Sequence, residues 1–212
     1  MWYALAKTLA EKETWKFAEE HILDLVVVNA PFIVGSFQTP FPSSTVFLVL
    51  YHVQGKAEGY PNQIIRCVHI DDVVDAHFLV YETPEANGRY ICSSLTAYWR
   101  EIMSFIAQKW PRLPVPTRAT GTENTKELIA HNTSCDRIKQ LGLTGFKTLE
   151  EMFGDTIDDF RDKGLLPLPL NHLRESGCHK NYFILLCKEL SHKHTPSMIA
   201  IIAINAFTAN RC

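Results

Sequence analysis

The chain has 212 residues, a length typical of one domain, and its 46% hydrophobic and 21% charged residues are typical of a protein with an apolar core. The formal net charge of -2 argues against a nucleic-acid or anionic-membrane partner held by bulk electrostatics, and no apolar run reaches the roughly 18 residues of a membrane span. Six scattered cysteines without a Cys-x-x-Cys pair, in a chain that opens without a signal peptide, predict reduced thiols in a cytoplasmic protein.

Helical and strand-like segments alternate from the start of the chain. Residues 4–20 lack Gly and Pro and predict a helix, and the β-branched run at 24–29 is typical of a parallel strand buried on both faces. A proline-rich loop follows. Either Ser43 or Ser44 is then expected to cap an apolar helix that extends to about Val53.

The next strand is predicted at 67–70, where two aspartates follow it. Asp71 or Asp72 is expected to accept hydrogen bonds from the first N–H groups of a helix that ends near Glu82. An acid/base pair is the alternative interpretation of these carboxylates, and the need for a helix cap favours the structural one. His69, beside them, is expected to be a packed histidine rather than a residue of a substrate pocket.

The pattern continues to residue 166 and indicates an α/β fold. A strand is predicted at 89–92, a helix at 97–110 and a short helix at 136–141 that ends before Gly142. Thr148 and Glu151 form a capping-box pattern that opens a final amphipathic helix to about Lys163.

Residues 167–212 differ from the preceding sequence and are expected to form an unmatched, poorly ordered tail. The tail contains three prolines, scattered histidines and a closing apolar run. Its Cys178, Cys187, His192 and His194 lack a zinc-knuckle spacing, so no metal site is predicted.

Tyr3 and Lys7 are the first candidates for chemistry. Because they are four residues apart, both lie on one face of the predicted helix. A neighbouring ammonium favours the ionised form of a phenol, so such a pair can exchange a proton with the oxygen of a carbonyl or alcohol. The pattern is short, however, and taken alone it also fits a surface tyrosine beside a solvated lysine.

Several sequence blocks, in order, resemble plant extended short-chain dehydrogenases/reductases of the NAD-dependent epimerase/dehydratase superfamily. Within these the chain is similar to the tetraketide α-pyrone, cinnamoyl-CoA and dihydroflavonol reductases over about residues 2–166. The blocks are WYALAKTLAE (2–11), DLVVVN (24–29), FIVG (32–35), VHIDDVV (68–74), ETPEANGRY (82–90), ICSS (91–94) and KTLEEMF (147–153).

This resemblance implies the C-terminal portion of a Rossmann-type parallel sheet with a small substrate-binding lobe. It also implies an NADPH-dependent reductase of a ketone or aldehyde on a phenylpropanoid or polyketide-pyrone substrate. Tyr3 would donate the proton and Lys7 would orient the cofactor ribose. Ala30 and Ile33 would pack on the nicotinamide, and Ser44 or Thr45 would contact its amide.

Three departures from the family pattern accompany the resemblance. Ala30 and Ser36 stand where the family has prolines, and Arg66 and Cys67 replace a glycine-aromatic pair near the expected substrate pocket. No Gly-rich pyrophosphate turn is present either. We therefore expect a truncated form that is inactive alone.

Two other functions are considered beside the reductase. One is an inactive fragment that pairs with a full-length homologue, because the tyrosine helix commonly lies at the subunit interface of extended members. The other is an epimerase or dehydratase with the same Tyr-x-x-x-Lys pair, which the blocks after Val68 disfavour.

Overall fold

The computed structural model describes residues 2–120 and 133–166 and the backbone of residues 200–205. The described elements are α1 (Trp2–Glu20), β1 (Leu25–Ala30), β2 (Phe32–Val34), α2 (Ser44–Val53), β3 (Tyr60–Pro61), β4 (Ile64–His69), α3 (Ile70–Glu82), β5 (Gly88–Ile91), β6 (Leu95–Tyr98), α4 (Trp99–Lys109), β7 (Ala119–Thr120), α5 (Asp136–Gln140), α6 (Leu149–Asp162) and β8 (Ala200–Asn205). None of the helices within 2–120 and 133–166 combines the length and hydrophobicity of a membrane span.

The strands form three small sheets. The first has the order β5-β1-β8 and is parallel throughout. The second has the order β2-β4-β6, in which β2 and β4 are parallel and β6 is antiparallel to β4. Strands β3 and β7 form a parallel pair. The predicted α/β class with parallel strands is confirmed, whereas β2 and β6 lie in segments for which the sequence predicted no strand.

Strand β1 is buried on both faces, as its β-branched sequence predicted. Val26, Val28 and Ala30 pack in one cluster with residues of α3, which include Val73, Ala76 and Val80. Leu25 and Val27 pack on the other side with Trp15 and Ala18 of α1. The alternation follows from the two-residue period of a strand.

A second core lies between the β2-β4-β6 sheet and helices α2, α4 and α6. Its largest fully buried side chains are Trp99, Phe153 and Phe160. The predicted caps of two of these helices are confirmed. Ser43 accepts a hydrogen bond from Val46 N, and Thr148 and Glu151 form both halves of the capping box.

The predicted cap of α3 is wrong. The N-cap is His69, whose Nδ1 accepts the backbone N–H of Asp71 at 3.1 Å, so neither aspartate caps the helix. Asp72 is buried and accepts the backbone N–H of Lys147 at 3.1 Å. Both aspartates lie in the first turn, where their charge complements the partial positive charge of the helix N-terminus. His69 is a packed histidine, as expected, with a side chain that is 1% exposed.

The closing apolar run has a place in the fold that the sequence did not predict. Its residues 200–205 form β8, which pairs in parallel with all six residues of β1. The rest of the expected tail, 167–199 and 206–212, lies outside the described residues, together with the cysteine and histidine residues considered as zinc ligands. The predicted boundary at residue 166 therefore stays a prediction.

Candidate active site

One stripe of α1 faces the first sheet. Glu11 and Ala18 are buried on it, and Lys7 and Trp15 are partly buried. The spacing of four, eight and eleven residues from Lys7 is that of one helix face. Tyr3 lies four residues before Lys7 and continues the same stripe toward the helix N-terminus.

Tyr3 and Lys7 are neighbours in the structure. Lys7 Nζ lies 5.6 Å from the centroid of the Tyr3 ring, a distance typical of a cation–π contact. Tyr3 is 50% exposed, so its ring can be reached by a ligand. The structure therefore brings together the two residues for which the sequence predicted proton transfer, and leaves them accessible.

An ion pair attaches this helix to the sheet. Glu11 Oε1 accepts from Arg89 Nε and Nη2, both at 2.5 Å, and from Trp15 Nε1 at 3.2 Å. The Glu11 side chain is 11% exposed and Arg89, on β5, is 54% exposed. No pattern in the sequence predicted this pair. The only local signal was a glutamate on the same helix face as Lys7 and Ala18.

The ion pair also shows how far along the sheet Tyr3 lies. Arg89 pairs in register with Val27, and the carboxyl end of β1 at Ala30 is three residues further, about 10 Å. A connection of residues 21–24 joins α1 to β1, so the helix runs back along the strand. Tyr3 is eight residues before Glu11, about 12 Å along the helix. Tyr3 is therefore about level with the carboxyl end of β1, the edge at which open α/β sheets bind their ligands.

The other predicted contact residues lie at this edge and on the segment that follows it. Ala30 is the fully buried last residue of β1, and Ile33 is the partly buried centre of β2. Thr45 Oγ1 donates to the Ile33 carbonyl at 2.7 Å, which leaves the exposed Ser44 as the freer of the two candidate hydroxyls. Their contacts with a nicotinamide stay predictions.

An open hollow lies on the outer part of α1 and does not include the candidate pair. Its volume is about 380 Å³, and its lining residues are Glu13, Thr14, Lys16, Phe17 and Glu20. It begins more than one helical turn beyond Lys7 and offers no residue with a role in carbonyl chemistry.

A second polar cluster lies at the carboxyl end of β4. Asp71 and Asp155 approach the His69 ring at 3.5 and 3.3 Å, a grouping of ligand types that could suit a metal ion. Lys147 Nζ, however, lies 3.2 Å from Asp71 and 3.1 Å from Asp155, between the two carboxylates. Its ammonium supplies the positive charge that these carboxylates need, so we assign the cluster to the structure and not to metal binding.

The protonation states in this cluster follow from its hydrogen bonds. His69 Nδ1 accepts from Asp71 N, so the proton of the neutral ring is on Nε2, which faces Asp155. Burial lowers the pKa of His69, and Asp71 opposes that shift. Burial also acts to lower the pKa of Lys147, but hydrogen bonds to Asp155 and Asp71 leave it above its ordinary value.

The thiols of the described residues are unsuited to nucleophilic catalysis. Cys67, Cys92 and Cys135 are all free and buried. Burial raises the pKa of Cys92 to about 12 and raises that of Cys67 as well. Because the thiolate is the reactive form, Cys67 and Cys92 are poor nucleophiles and act as small side chains of the core, while Cys135 Sγ donates to the Ser93 carbonyl at 3.1 Å.

Comparison with known proteins finds a family model and several plant reductases that are similar to this chain. The model of the NAD dependent epimerase/dehydratase family matches residues 2–92, the part from α1 to β5. Tetraketide alpha-pyrone reductase 2 of Arabidopsis thaliana is 46% identical over 166 residues, which are 78% of this chain and 51% of that protein. Cinnamoyl-CoA reductase 2 of Medicago truncatula is 35% identical over 168 residues, 79% of this chain and 49% of that protein. Residues 2–92 thus match the NAD dependent epimerase/dehydratase family.

Among solved structures of the family's fold, vestitone reductase from alfalfa superposes with a TM-score of 0.66 at 31% identity, over 77% of this chain and 53% of that protein. The chain thus spans about half the length of the relatives that it matches. Over that half it shares the α/β fold of vestitone reductase.

Proposed function

We propose that this chain supplies the proton-donating half of an NADPH-dependent reductase of ketones or aldehydes of the phenylpropanoid or polyketide-pyrone type. The proposal depends on one observation. Tyr3 and Lys7 lie together on one face of α1, accessible and level with the carboxyl end of β1. In this proposal the chain corresponds to the C-terminal portion of a Rossmann-type sheet with part of a substrate-binding lobe.

The proposed chemistry of the chain is proton transfer. The Tyr3 hydroxyl would donate its proton to the carbonyl oxygen of the substrate, and it would accept a proton from the alcohol in the reverse direction. The Lys7 ammonium, 5.6 Å from the ring centroid, would stabilise the negative charge that develops on the phenol oxygen. Neither step requires a residue from the cluster around His69.

The residues at this edge fit a nicotinamide cofactor. An ammonium donor suits ribose hydroxyls, and the partly buried apolar side chain of Ile33 suits one face of a nicotinamide ring, whereas Ala30 has no exposed surface to offer. NADPH, when bound, supplies the hydride. Ser44 would hold the carboxamide, and the Glu11–Arg89 pair would keep the stripe of α1 turned toward the sheet.

The substrate class is inferred from the relatives. The reductases of 46% and 35% identity are named for a tetraketide α-pyrone and a cinnamoyl-CoA, and the superposed structure is named for vestitone. Each of these compounds offers a carbonyl group beside an aromatic or conjugated system. We therefore expect a planar, conjugated carbonyl substrate.

A chimaeric enzyme tests this proposal. The part of Arabidopsis tetraketide alpha-pyrone reductase 2 that precedes its matching region would be joined to residues 2–166 of this chain. We expect NADPH oxidation with at least one conjugated ketone or aldehyde and slower turnover with NADH. A folded chimaera that binds NADPH but reduces none of the conjugated ketones and aldehydes tested would contradict the proposal.

The alternative is an inactive fragment that pairs with a full-length homologue through α1. One observation favours it: Trp2, Leu5 and Leu9 are 85%, 48% and 50% exposed and lie three and seven residues apart, on one apolar stripe. Mixing the full chain with an intact relative and measuring the molar mass of the product distinguishes the two. A hetero-dimer without gain of activity would favour the fragment.

A further inference from the structure

Strand β1 has two edges, and its own chain occupies both. Strand β5 pairs with one edge over Val26 to Asn29, and β8 pairs with the other over Leu25 to Ala30. The side chains of Val27 and Val28 are 0% exposed, so the backbone of β1 lies in the dry interior of the molecule. Unpaired N–H and C=O groups in such a place are costly, and a partner strand along each edge is therefore required.

The order of elements shows what a longer reductase would place at the β8 edge. In a unit of strand, helix and parallel strand, the two strands lie side by side in one sheet, and the helix joins them by a right-handed crossover. Helix α1 leads into β1, and β5 already holds one edge. The strand that precedes the tyrosine helix in a chain of twice this length therefore has the β8 edge of β1 as its nearest site.

We propose that β8 is an internal substitute for that strand, and that it competes with the N-terminal half of a reductase for the same edge of β1. Both strands would use the same N–H and C=O groups of residues 25–30, so only one can be bound at a time. The competition rests on the proposed function, because it assumes that this chain joins such a half. The pairing of β8 with this edge of β1 does not depend on that assumption.

The first test uses hydrogen exchange in the full chain. In a parallel ladder the N–H groups of consecutive residues point to opposite sides, so of Ile201 and Ile202 one donates to β1 and the other points outward. Proline removes that donor. We expect one of Ile201→Pro and Ile202→Pro to accelerate exchange of the β1 amides at least tenfold while the other leaves it within threefold. The β4 amides of residues 64–69, in a different sheet, are the internal control.

The second test measures competition. The N-terminal half of tetraketide alpha-pyrone reductase 2, up to the residue before its tyrosine helix, would be labelled and titrated with the full chain and with both proline variants. We expect the variant with exposed β1 amides to bind at least tenfold more tightly than the unchanged chain, and the other variant to bind like it.

The outcomes separate the two proposals. If neither proline variant changes β1 exchange, β8 does not seal this edge and the inference is overturned. If exchange responds but the affinities of all three chains are equal, β8 seals the edge without competing. If exchange responds and none of the chains binds the N-terminal half, the competition is overturned. The chimaera that ends at residue 166 then decides the proposed function separately: an active chimaera shows that it survives, and an inactive one shows that it fails as well.

Discussion

Glu11 of α1 and Arg89 of β5, 78 residues apart in sequence, form an ion pair in which one carboxylate oxygen accepts from two guanidinium nitrogens at 2.5 Å. Because Glu11 is on the same helix face as Tyr3 and Lys7, the pair sets the rotation of the helix on the sheet. The structure thus links the candidate active site to a contact two helical turns away.

Replacing Arg89 with Met should destabilise the protein by about 1–3 kcal/mol. The change leaves the nearly buried Glu11 carboxylate with Trp15 as its remaining hydrogen-bond donor. Breaking a fully buried ion pair lowers the free energy of unfolding by about 3–5 kcal/mol, and we expect a smaller loss here because Arg89 is 54% exposed. Urea denaturation measures the loss. The double variant with Glu11→Gln should recover part of it, whereas Lys16→Met, which removes the exposed Lys16–Glu20 pair, should cost less than about 0.5 kcal/mol. Equal losses from Arg89→Met and Lys16→Met would refute the anchoring role.

Gly35→Ala should destabilise the protein by at least about 2 kcal/mol. Gly35 has a φ of +120°, and a Cβ at that position would lie 2.5 Å from His69 Nε2, so the variant adds backbone strain to a steric clash. Gly154→Ala is the matched control. Gly154 lies within α6 with no heavy atom within 4 Å of an added Cβ, and alanine there should stabilise the helix by about 0.5–1 kcal/mol. Thermal unfolding measures both effects: the melting temperature should fall for Gly35→Ala and rise for Gly154→Ala.

Thr156→Val should cost about 1–3 kcal/mol although it keeps the shape of the side chain. Thr156 is fully buried, and its Oγ1 accepts the Gly35 N–H at 2.7 Å and donates to the Met152 carbonyl. Valine leaves the Gly35 N–H without its acceptor in the core. Thr8→Val, on the exposed face of α1, removes a comparable side-chain hydrogen bond and should change the free energy of unfolding by less than about 0.5 kcal/mol. A similar loss in both variants would argue against a buried hydrogen bond as the cause.

The sequence predicted those parts of the fold whose signals are local. Ser43 and the Thr148–Glu151 box are side chains of the usual capping types at the usual spacing, and both helix starts were confirmed. The cap of α3 was wrong because the acceptor is the ring nitrogen of His69, a residue outside the usual capping types, while Asp72 is used by Lys147, 75 residues further on.

The parts that sequence reasoning missed depend on contacts between distant segments. Strands β2 and β6 have three and four residues and gain their structure from pairing with β4, which no local pattern reveals. The partner of Glu11 is Arg89 on β5, 78 residues further along the chain, and β8 pairs with a strand about 175 residues before it. At the candidate site, the spacing of Tyr3 and Lys7 predicted their shared face, but only the Glu11–Arg89 contact shows that this face is turned toward the sheet.

Stability should fall as the pH decreases below about 6.5, and His69 should account for part of the loss. Its pKa is lowered in the folded protein, so between the folded pKa and 6.5 the unfolded chain binds a proton that the native protein does not bind. The groups that face the ring are Asp71, Lys147, Glu151 and Asp155. Protonation of Nδ1 would also remove the acceptor that caps α3.

Urea denaturation between about pH 7.5 and pH 5.5 measures this dependence. His69→Asn keeps an acceptor near the position of Nδ1 but does not titrate. The free energy of unfolding of this variant should be lower at pH 7.5, and it should change less with pH because the titrating group is gone. Asp72 has a pKa raised by burial, and its protonation would act in the opposite direction at lower pH, which is why the range ends at pH 5.5. An unchanged slope in His69→Asn would assign the loss to other groups.

The most direct measurement is the turnover number of the chimaeric reductase with Tyr3 and with phenylalanine in its place. If the Tyr3 hydroxyl donates the proton, Tyr3→Phe should lower kcat by about 10²- to 10⁴-fold while NADPH affinity changes little, because the ring and the Lys7 contact remain. A Tyr3→Phe chimaera that turns over at the rate of the unchanged one would contradict the assignment of this residue and, with it, the proposed function.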